Sequence, residues 1–250
     1  MERRLVAAIA CRNQGSRLYG KPLQNVDVES GTRILDNIID CLRTISCIDD
    51  IVLGISVGIE NEVFKHIAEQ KGISYILGDE HDVLSRLIQC GQVANATDIF
   101  RVTSESPFLF TDPIEESWEK HISKNFDATF LDEIIDGTGY EIISLSALKI
   151  SHDKGNAIHR SEYCSLYIRE NKERFNVSKV KCPDNLNRKD LRLTVDNPED
   201  LALCRILYAK FKSNAPRFSI NEMVKYLDDN PNLKQLIAHY TEIGYSTMNR

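Results

Sequence analysis

Apolar residues in the first hundred positions alternate between short continuous runs and stretches with helical spacing. Residues 5–10 form the first continuous run, which is typical of a strand buried on both faces. Residues 33–46 carry apolar side chains at helical spacing and predict an amphipathic helix. Further strands are predicted at 51–57, 73–77 and 98–103, and further helices at 61–71 and 82–94. This order predicts right-handed βαβ units around a largely parallel sheet, and hence an α/β fold.

The pattern becomes less regular after residue 113. The remaining predictions are a helix at 114–123, strands at 128–131 and 141–145, a short helix from 146, helical structure at 158–170, strands at 176–181 and 191–195, helices at 198–211 and 220–227, and a helix with a loose tail at 230–250. No repeat, low-complexity tract or long linker interrupts the chain. We therefore expect a single domain spanning 1–250, with a mixed edge to its sheet.

Composition and charge exclude several classes of protein. Of the 250 residues, 42% are hydrophobic and 27% are charged, and the net charge is −6. Such a chain offers no overall basic field to nucleic acid or to an anionic membrane, and no apolar stretch approaches the ~20 residues of a membrane span. The N-terminus shows no secretory signal, and the seven cysteines form no CxxC pair or zinc pattern. We expect a cytoplasmic protein with neither a nucleic-acid nor a membrane partner.

A basic loop follows the first predicted strand directly. It combines three cations with three small residues, which are Arg12, Gly15, Ser16, Arg17, Gly20 and Lys21. Ligands of open α/β sheets bind outside the carboxyl ends of the strands. Guanidinium and ammonium groups suit phosphate oxygens, and small residues let backbone N–H groups approach an anion. The loop predicts a polyphosphate site, and the alternative is a solvated basic surface.

Two carboxylates are candidates for a metal site. Glu105 follows the predicted strand at 98–103, and Asp196 lies between a predicted strand and a predicted helix. A hard cation that bridges phosphates needs oxygen ligands at such strand ends. Helix capping is the alternative for Asp196 and the preferred interpretation of Asp112, which precedes a proline. Glu199 and Asp200 are interpreted as structural, because they lie in the first turn of the same predicted helix.

Two further segments carry polar side chains on predicted helices. Asp82 and Arg86 lie near the start of one helix, where a plain acidic helix start is the alternative. Arg160, Glu162 and Tyr167 lie in another helical segment, whose polar and aromatic groups are suited to binding a sugar. The alternative for this second segment is an ordinary surface helix.

The motifs, in their order along the chain, resemble those of the SpsF-type cytidylyltransferases. They are Arg12-x4-Arg17-Leu-x-Gly20-Lys21, Gly78-Asp-Glu-x-Asp82-Val-Leu-x-Arg86, Arg101-Val-Thr-x3-Pro107 and Leu193-Thr-Val-Asp196-x-Pro-Glu-Asp-Leu, joined by His159-Arg-Ser-Glu162 and Asn171-x-Glu-Arg-Phe175. The resemblance covers about residues 5–235, and the order of the motifs makes it more specific than any one of them. SpsF-type sequences are in turn similar to the acylneuraminate and 3-deoxy-manno-octulosonate (KDO) cytidylyltransferases.

The resemblance carries expectations about fold and activity. It implies a Rossmann-like nucleotidyltransferase fold of the glycosyltransferase-A type, with a mostly parallel mixed sheet and a dimerisation arm. It also implies CTP as substrate, Mg²⁺ as cofactor, a sugar acid or related sugar as acceptor, and release of pyrophosphate during surface-polysaccharide synthesis. We expect a homodimer, with residues 126–180 as the region for sugar binding and dimerisation.

The same resemblance assigns roles to individual residues. Residues expected to contact the nucleotide are Arg12, Gly15, Ser16, Arg17, Lys21, Asp82, Arg86 and Thr103. Residues expected to contact the acceptor are Arg160, Glu162 and Tyr167, with Arg160 binding the carboxylate of an acidic sugar. The expected metal ligands are Glu105 and Asp196. The residues expected to carry the catalysis are Arg12, Lys21 and Asp196.

Two positions depart from the family pattern. Glu105 follows Ser104 where Gly-Asp is common, and Tyr19 stands where proline is common. The extra methylene of Glu105 displaces its carboxylate, and Mg²⁺ demands near-octahedral geometry. Two alternatives stay open as a result. One is a nucleotidyltransferase with another nucleotide or a phosphorylated acceptor, and the other is a non-catalytic nucleotide-binding relative.

Overall fold

The computed structural model describes residues 3–15 and 17–241. Its strands are β1 (Leu5–Cys11), β2 (Asn25–Asp27), β3 (Thr32–Arg33), β4 (Asp50–Ser56), β5 (Ser74–Gly78), β6 (Asp98–Arg101), β7 (Ala128–Phe130), β8 (Glu141–Ser144) and β9 (Val177–Lys179). Its α-helices are α1 (Ile34–Leu42), α2 (Glu62–Lys71), α3 (Val83–Val93), α4 (Ile114–Ser123), α5 (Leu145–Lys154), α6 (Ala157–Arg160), α7 (Leu166–Glu170), α8 (Pro198–Lys210), α9 (Ile220–Asp229) and α10 (Pro231–Gln235). Within these described ranges, no helix is both long and apolar enough to cross a membrane.

Seven strands form one mixed sheet in the order β5-β4-β1-β6-β8-β7-β9. Strands β5, β4, β1 and β6 pair in parallel. Strand β8 is antiparallel to both β6 and β7, and β9 is parallel to β7. The predicted α/β fold with a mostly parallel mixed sheet is therefore confirmed. The region 126–180 continues this same sheet through β7, β8 and β9.

Helices cover both faces of the sheet, which explains the unbroken apolar run of β1. Leu5, Ala7 and Ile9 face a core layer built with α1, α2, α4, α8 and α9. Val6 and Ala8 face a second layer built with α3, α5 and α7. All five side chains are fully buried. A central strand between two helical layers needs apolar side chains at every position, and its sequence shows that pattern.

The loops that follow β1 and β6 lie next to each other, at the point in the sheet where the strand order reverses. From β1 the chain continues to its neighbour β4 and then to β5 on one side, and it returns later to place β6 on the other side of β1. Ligands of open α/β sheets bind at such a switch point, outside the carboxyl ends of the strands. Here those ends are Cys11 of β1 and Arg101 of β6.

The predicted helix at 158–170 is wrong, because two short helices occupy this segment. Helix α6 ends at Arg160, and α7 begins only at Leu166. Between them Ser161 has an extended backbone, and its hydroxyl donates a hydrogen bond to the carbonyl of Ile158 at 2.7 Å. A serine that bonds its own backbone in this way competes with the helical ladder.

The predicted strand at 191–195 is also wrong. Its alternating apolar and polar residues suggested a strand, but the segment forms only an isolated bridge between Arg192 and Asp136 within the described residues. Its N–H groups donate instead to two loops, from Leu193 to the Asp136 carbonyl at 2.7 Å and from Val195 to the Glu105 carbonyl at 3.1 Å. An extended segment thereby ties the loops of the cleft together without joining the sheet.

Two smaller features also differ from the prediction. The interpretation of Asp112 as a helix cap is wrong, because the N-cap of α4 is Pro113 and makes no side-chain capping bond. The short hairpin of β2 and β3 had no predicted counterpart, and its antiparallel pairs join Asn25 to Arg33 and Asp27 to Thr32.

Asp98 anchors the start of β6 and supplies a test of the fold. It is fully buried and accepts hydrogen bonds from Arg3 at 2.6 and 2.7 Å, from Thr97 at 2.6 Å and from His121 at 3.1 Å. Burial alone would raise the pKa of Asp98, but the hydrogen bonds from His121, Arg3 and Thr97 outweigh it and lower the pKa. A lowered pKa contributes stability above the unfolded value of about 3.9, and that contribution is lost as the pH falls through this range.

We expect Asp98→Asn to lower the free energy of unfolding by roughly 3 kcal/mol at neutral pH, because it leaves Arg3 with a buried neutral partner. Urea denaturation measures this value, and the loss should shrink between pH 5 and pH 3. The control is Asp50→Asn, since Asp50 is 37% exposed and lies 3.6 Å from Arg4, a pair worth about 1 kcal/mol at most. Equal destabilisation by the two variants would contradict the anchoring role.

Candidate active site

The basic loop after β1 folds back on itself. Gly20 has a φ of 60°, in the left-handed region, and its N–H donates to the carbonyl of Asn13 at 2.9 Å. A Cβ on Gly15 would lie 2.3 Å from the carbonyl oxygen of Leu18, so only glycine fits this close approach. Ser16, which the sequence placed in the nucleotide site, lies outside the described residues. The fold of the loop places the side chains of Arg17 and Lys21 close to each other.

The carboxylate of Asp196 joins this loop to the segment before α8. Its Oδ1 lies 2.5 Å from Lys21 Nζ and 3.1 Å from an Arg17 guanidinium nitrogen, and its Oδ2 accepts from Arg192 at 2.6 Å. Burial opposes ionisation of Asp196, but the contacts from Lys21, Arg17 and Arg192 outweigh it and lower the pKa. The loop and Asp196, which the sequence placed in one site, therefore do lie together.

Helix α8 is capped by other residues, so the capping alternative for Asp196 is wrong. Asn197 is the N-cap and forms a capping box with Asp200. Asp200 Oδ2 accepts from the backbone N–H groups of Asn197 at 2.8 Å and of Asp196 at 3.0 Å. The side chain of Asp196 is thereby left to face the cleft, and the structural interpretation of Asp200 is confirmed.

Arg192 is a buried cation that the sequence analysis did not single out. It is 2% exposed, and besides Asp196 it lies 3.3 Å from Asp200 and 3.9 Å from Asp136. Its remaining guanidinium nitrogen donates to the carbonyl of Tyr240 at 3.1 Å. Burial raises the pKa of Asp136 to about 6, although Arg192 opposes the shift. Arg192 thus holds three carboxylates together beneath the cleft.

Glu105 lies on the loop after β6 and lines the same cleft as Asp196. Its carboxylate accepts from the Ser104 hydroxyl at 3.1 Å, and its carbonyl accepts from Val195 N–H at 3.1 Å. Burial raises the pKa of Glu105, the charge of Lys21 opposes this, and the charge of Asp196 adds to it. The two predicted metal ligands therefore lie near enough to repel each other electrostatically.

A cleft with a volume of about 940 Å³ contains these groups. The predicted site residues that line it are Arg12, Gly15, Arg17, Lys21, Arg86, Thr103, Glu105, Glu162 and Asp196. Three other predicted site residues are not among the described residues that line the cleft, and they are Asp82, Arg160 and Tyr167. Most of the predicted nucleotide site is thus assembled, but most of the predicted acceptor site is not.

The three residues outside the cleft have structural partners. Asp82 caps α3 through the N–H of Ser85 at 2.8 Å and also contacts His152 at 2.8 Å. Arg160 donates twice to the carbonyl of His152, at 2.9 and 3.2 Å. The ring of Tyr167 packs edge-on against its aromatic neighbours and is 8% exposed.

Arg86 supplies buried positive charge beneath the basic loop. It is 1% exposed, and it donates to the carbonyls of Cys11 at 3.1 Å and Gly54 at 2.8 Å, at the ends of two parallel strands. Burial lowers the pKa of Arg86, and the nearby charge of Arg12 lowers it further. Neither arginine has a carboxylate partner within 4 Å among the described residues. These two arginines therefore provide unpaired positive charge that suits an anion.

A second charged network lines the same cleft, and the sequence analysis missed it. Arg101 contacts Glu141 at 2.7 Å, and Arg169 contacts Glu141 at 2.8 Å and Asp132 at 2.7 and 2.8 Å. Arg101 and Glu141 are directly opposite each other on β6 and β8. Arg101 entered the sequence analysis only as the first residue of a family motif. Its part in this network was missed because the pairing of β6 with β8 is not visible in the sequence.

Two curated relatives cover nearly the whole chain, while no protein-family model matches it. The uncharacterized protein MJ1063 of Methanocaldococcus jannaschii is 26% identical over 243 residues, 97% of this chain and 98% of that protein. The spore coat polysaccharide biosynthesis protein SpsF of Bacillus subtilis is 24% identical over 228 residues, 89% of this chain and 93% of SpsF. The expected relationship to SpsF is thus found at the level of sequence.

Solved structures identify the fold. A cytidylyltransferase from Leptospira borgpetersenii superimposes with a TM-score of 0.84 at 20% identity, over 94% of this chain and 98% of the other. A CMP:2-keto-3-deoxy-manno-octonic acid synthetase in complex with CTP superimposes with a TM-score of 0.61 at 12% identity, over 83% and 99%. The protein therefore has the nucleotidyltransferase fold. Together with the similarity to SpsF, this confirms its resemblance to the SpsF-type cytidylyltransferases.

The Arg192 cluster gives a test of how the site is held together. We expect Arg192→Leu to lower the free energy of unfolding by about 3–5 kcal/mol, because three carboxylates lose their shared buried partner. Arg192→Lys should lose less, since it retains the charge without the planar fork. Urea denaturation of both variants measures these losses. The control is Arg174→Leu, at a side chain that is 62% exposed, and equal losses at the two positions would contradict the assignment.

Proposed function

We propose that the protein is a cytidylyltransferase that transfers CMP from CTP to a sugar and releases pyrophosphate, in surface-polysaccharide synthesis. The observation that carries the proposal is the juxtaposition of a basic loop with two carboxylates at the carboxyl ends of β1 and β6. The nucleotidyltransferase fold and the similarity to a polysaccharide biosynthesis protein support the same conclusion.

The chemistry is a single displacement at phosphorus. A hydroxyl oxygen of the acceptor forms a bond to the α-phosphorus of CTP, the bond from that phosphorus to the bridging oxygen breaks, and pyrophosphate leaves with the electron pair while the hydroxyl proton is lost. Arg12, Arg17 and Lys21 stabilise negative charge on the phosphates, and buried Arg86 adds to the field. Such catalysis rests on positioning and electrostatic stabilisation.

The carboxylates of this site fit a magnesium ion. Mg²⁺ is commonly bound by one or two carboxylates together with substrate phosphates, and Glu105 has a pKa that the charge of Asp196 helps to raise. The described residues contain no cluster of three or more His, Cys, Asp or Glu side chains suited to a metal, so phosphate oxygens would complete the coordination. In our proposal Asp196 and Glu105 hold the ion, which supplies charge neutralisation to the phosphates.

The proposal also includes a cytoplasmic location and a homodimer. All seven cysteines are free thiols, and free thiols are usual in a reducing compartment. The dimer rests on the family resemblance of the region 126–180.

We expect CTP with Mg²⁺ to raise the melting temperature more than ATP or GTP with Mg²⁺, because a ligand of the native state stabilises it by mass action. Arg17→Ala and Lys21→Ala should each weaken CTP binding by about 1.5–3 kcal/mol, the value of a charge-assisted contact. Thermal shifts and calorimetric titration measure both effects. Lys120→Ala is the control, since Lys120 is an exposed lysine on α4. Equal shifts with all nucleotides would contradict a cytosine preference.

We expect Asp196→Asn to abolish pyrophosphate release, because the amide lacks the charge that binds Mg²⁺. It should lower the free energy of unfolding by less than Arg192→Leu does, since Arg192 keeps Asp136 and Asp200 as partners and α8 is capped by Asn197 and Asp200. Initial rates and urea denaturation separate the two effects. Asp190→Asn, at a surface carboxylate that is 54% exposed, is the matched control. Glu105→Asp tests the departure from the family pattern, since it changes the rate only if that carboxylate belongs to the site. Full turnover in Asp196→Asn would overturn the metal assignment.

A further inference from the structure

We propose that the acceptor is an uncharged polyhydroxylated sugar, bound at the network of Arg101, Asp132, Glu141 and Arg169, rather than a sugar acid or a sugar phosphate. This inference rests on the proposed function and names the substrate class of the same cleft. Its basis is a difference in charge pairing among the cations that line that cleft: Arg101 and Arg169 are paired with carboxylates, and Arg12 and Arg86 have no carboxylate partner among the described residues.

The network has no net charge, because its positive and negative groups are equal in number and paired with each other. It contains two arginines and two carboxylates, linked in the order Arg101–Glu141–Arg169–Asp132 by contacts of 2.7–2.8 Å. Burial alone would raise the pKa of Glu141, but Arg101 and Arg169 outweigh it and lower the pKa to about 2. Glu141 is therefore ionised at neutral pH and neutralises its share of the positive charge.

The guanidinium groups have few donors to offer an incoming anion. Arg169 uses both terminal nitrogens on Asp132 and its Nε on the Ser165 hydroxyl at 3.0 Å. Arg101 uses one terminal nitrogen on Glu141 and the other on the carbonyl of Glu162 at 2.8 Å. A carboxylate or phosphate would have to displace a carboxylate that already lies in a bidentate pair, and such pairs are strong.

Arg160, the cation expected to bind an acidic acceptor, does not change this balance. Its guanidinium donates to the carbonyl of His152, and it is not among the described residues that line the cleft. Among the described residues of the lining, the cations without a carboxylate partner are Arg12 and Arg86, which our proposal assigns to the triphosphate. An acidic acceptor would therefore meet arginines that are already paired, or compete with the triphosphate for Arg12 and Arg86.

Hydroxyl groups suit the network much better than anions do. The side chains of Arg101, Asp132, Glu141 and Arg169 remain 12–24% exposed, and a carboxylate oxygen can accept a further hydrogen bond while it stays paired. Tyr163 adds an aromatic ring to the same lining. A few convergent polar groups beside an aromatic surface are typical of a small-molecule site. A site of this kind rejects a charged analogue by leaving its charge without a partner.

The test measures pyrophosphate release by the full chain with CTP and Mg²⁺, using acceptor pairs that share a ring and differ in charge. Suitable pairs are glucose with glucuronic acid, galactose with galacturonic acid, and mannose with mannose 6-phosphate, because each pair keeps the same ring and the same free anomeric hydroxyl. We expect kcat/KM for a neutral member to exceed that for its charged partner by at least tenfold. Equal or higher values for the charged members, or no turnover of any neutral sugar, would overturn the inference.

A substitution that changes the charge of the network provides a second test. Asp132→Asn leaves the network with a net charge of +1 and frees one donor of Arg169, because the amide keeps a single accepting oxygen, so the ratio of charged to neutral turnover should rise about tenfold. The matched control is Glu133→Gln, because Glu133 is the adjacent acid, is 70% exposed and lies 3.7 Å from Lys179. An unchanged ratio in a folded Asp132→Asn protein would count against the inference.

The two proposals fail in distinguishable ways. If CTP produces no thermal shift and no acceptor releases pyrophosphate, the proposed function fails and this inference fails with it. If CTP is used but only charged acceptors react, the proposed function stands and this inference alone is overturned.

Discussion

The pairing of Asp196 with Lys21 is the contact on which the candidate site depends. The two residues are 175 positions apart, and their side chains meet at 2.5 Å. Asp196 is partly buried, and the surrounding cations Lys21, Arg17 and Arg192 lower its pKa and so favour its ionised form. Arg192 holds the other carboxylate oxygen from beneath. The conformation of the basic loop is therefore fixed by an acid on a distant segment.

The sequence predicted the first half of the fold well, because local patterns determine it. Fully buried strands and amphipathic helices leave clear signals, and β1, β4, β5 and β6 lie within a few residues of their predicted bounds. The errors came where backbone groups bond outside regular structure. Alternation at 191–195 reflects burial of an extended segment that bonds to loops, and Ser161 interrupts a helical pattern through its own hydroxyl.

The residues of the candidate site that directly follow a parallel strand could be predicted from the sequence. Arg12, Lys21 and Glu105 follow β1 and β6, so their meeting at one edge of the sheet follows from topology alone. The charged network was not predictable in this way, because it depends on the antiparallel pairing of Arg101 with Glu141 across β6 and β8. A buried arginine such as Arg192 gives no pattern in the sequence, since its carboxylate partners come from two separate segments, one at Asp136 and one at Asp196 and Asp200.

The net charge of −6 does not show how the individual charges within the cleft are paired. Among the described residues Arg12 and Arg86 lack carboxylate partners, so an anion that binds them gains attraction without breaking an ion pair, whereas Arg17 and Lys21 are shared with Asp196. Arg101 and Arg169 are already paired, so a second anion would have to break such a pair before gaining anything. One cleft can therefore favour a highly charged nucleotide and disfavour a charged acceptor. This selectivity comes from how the charges are paired rather than from how many there are.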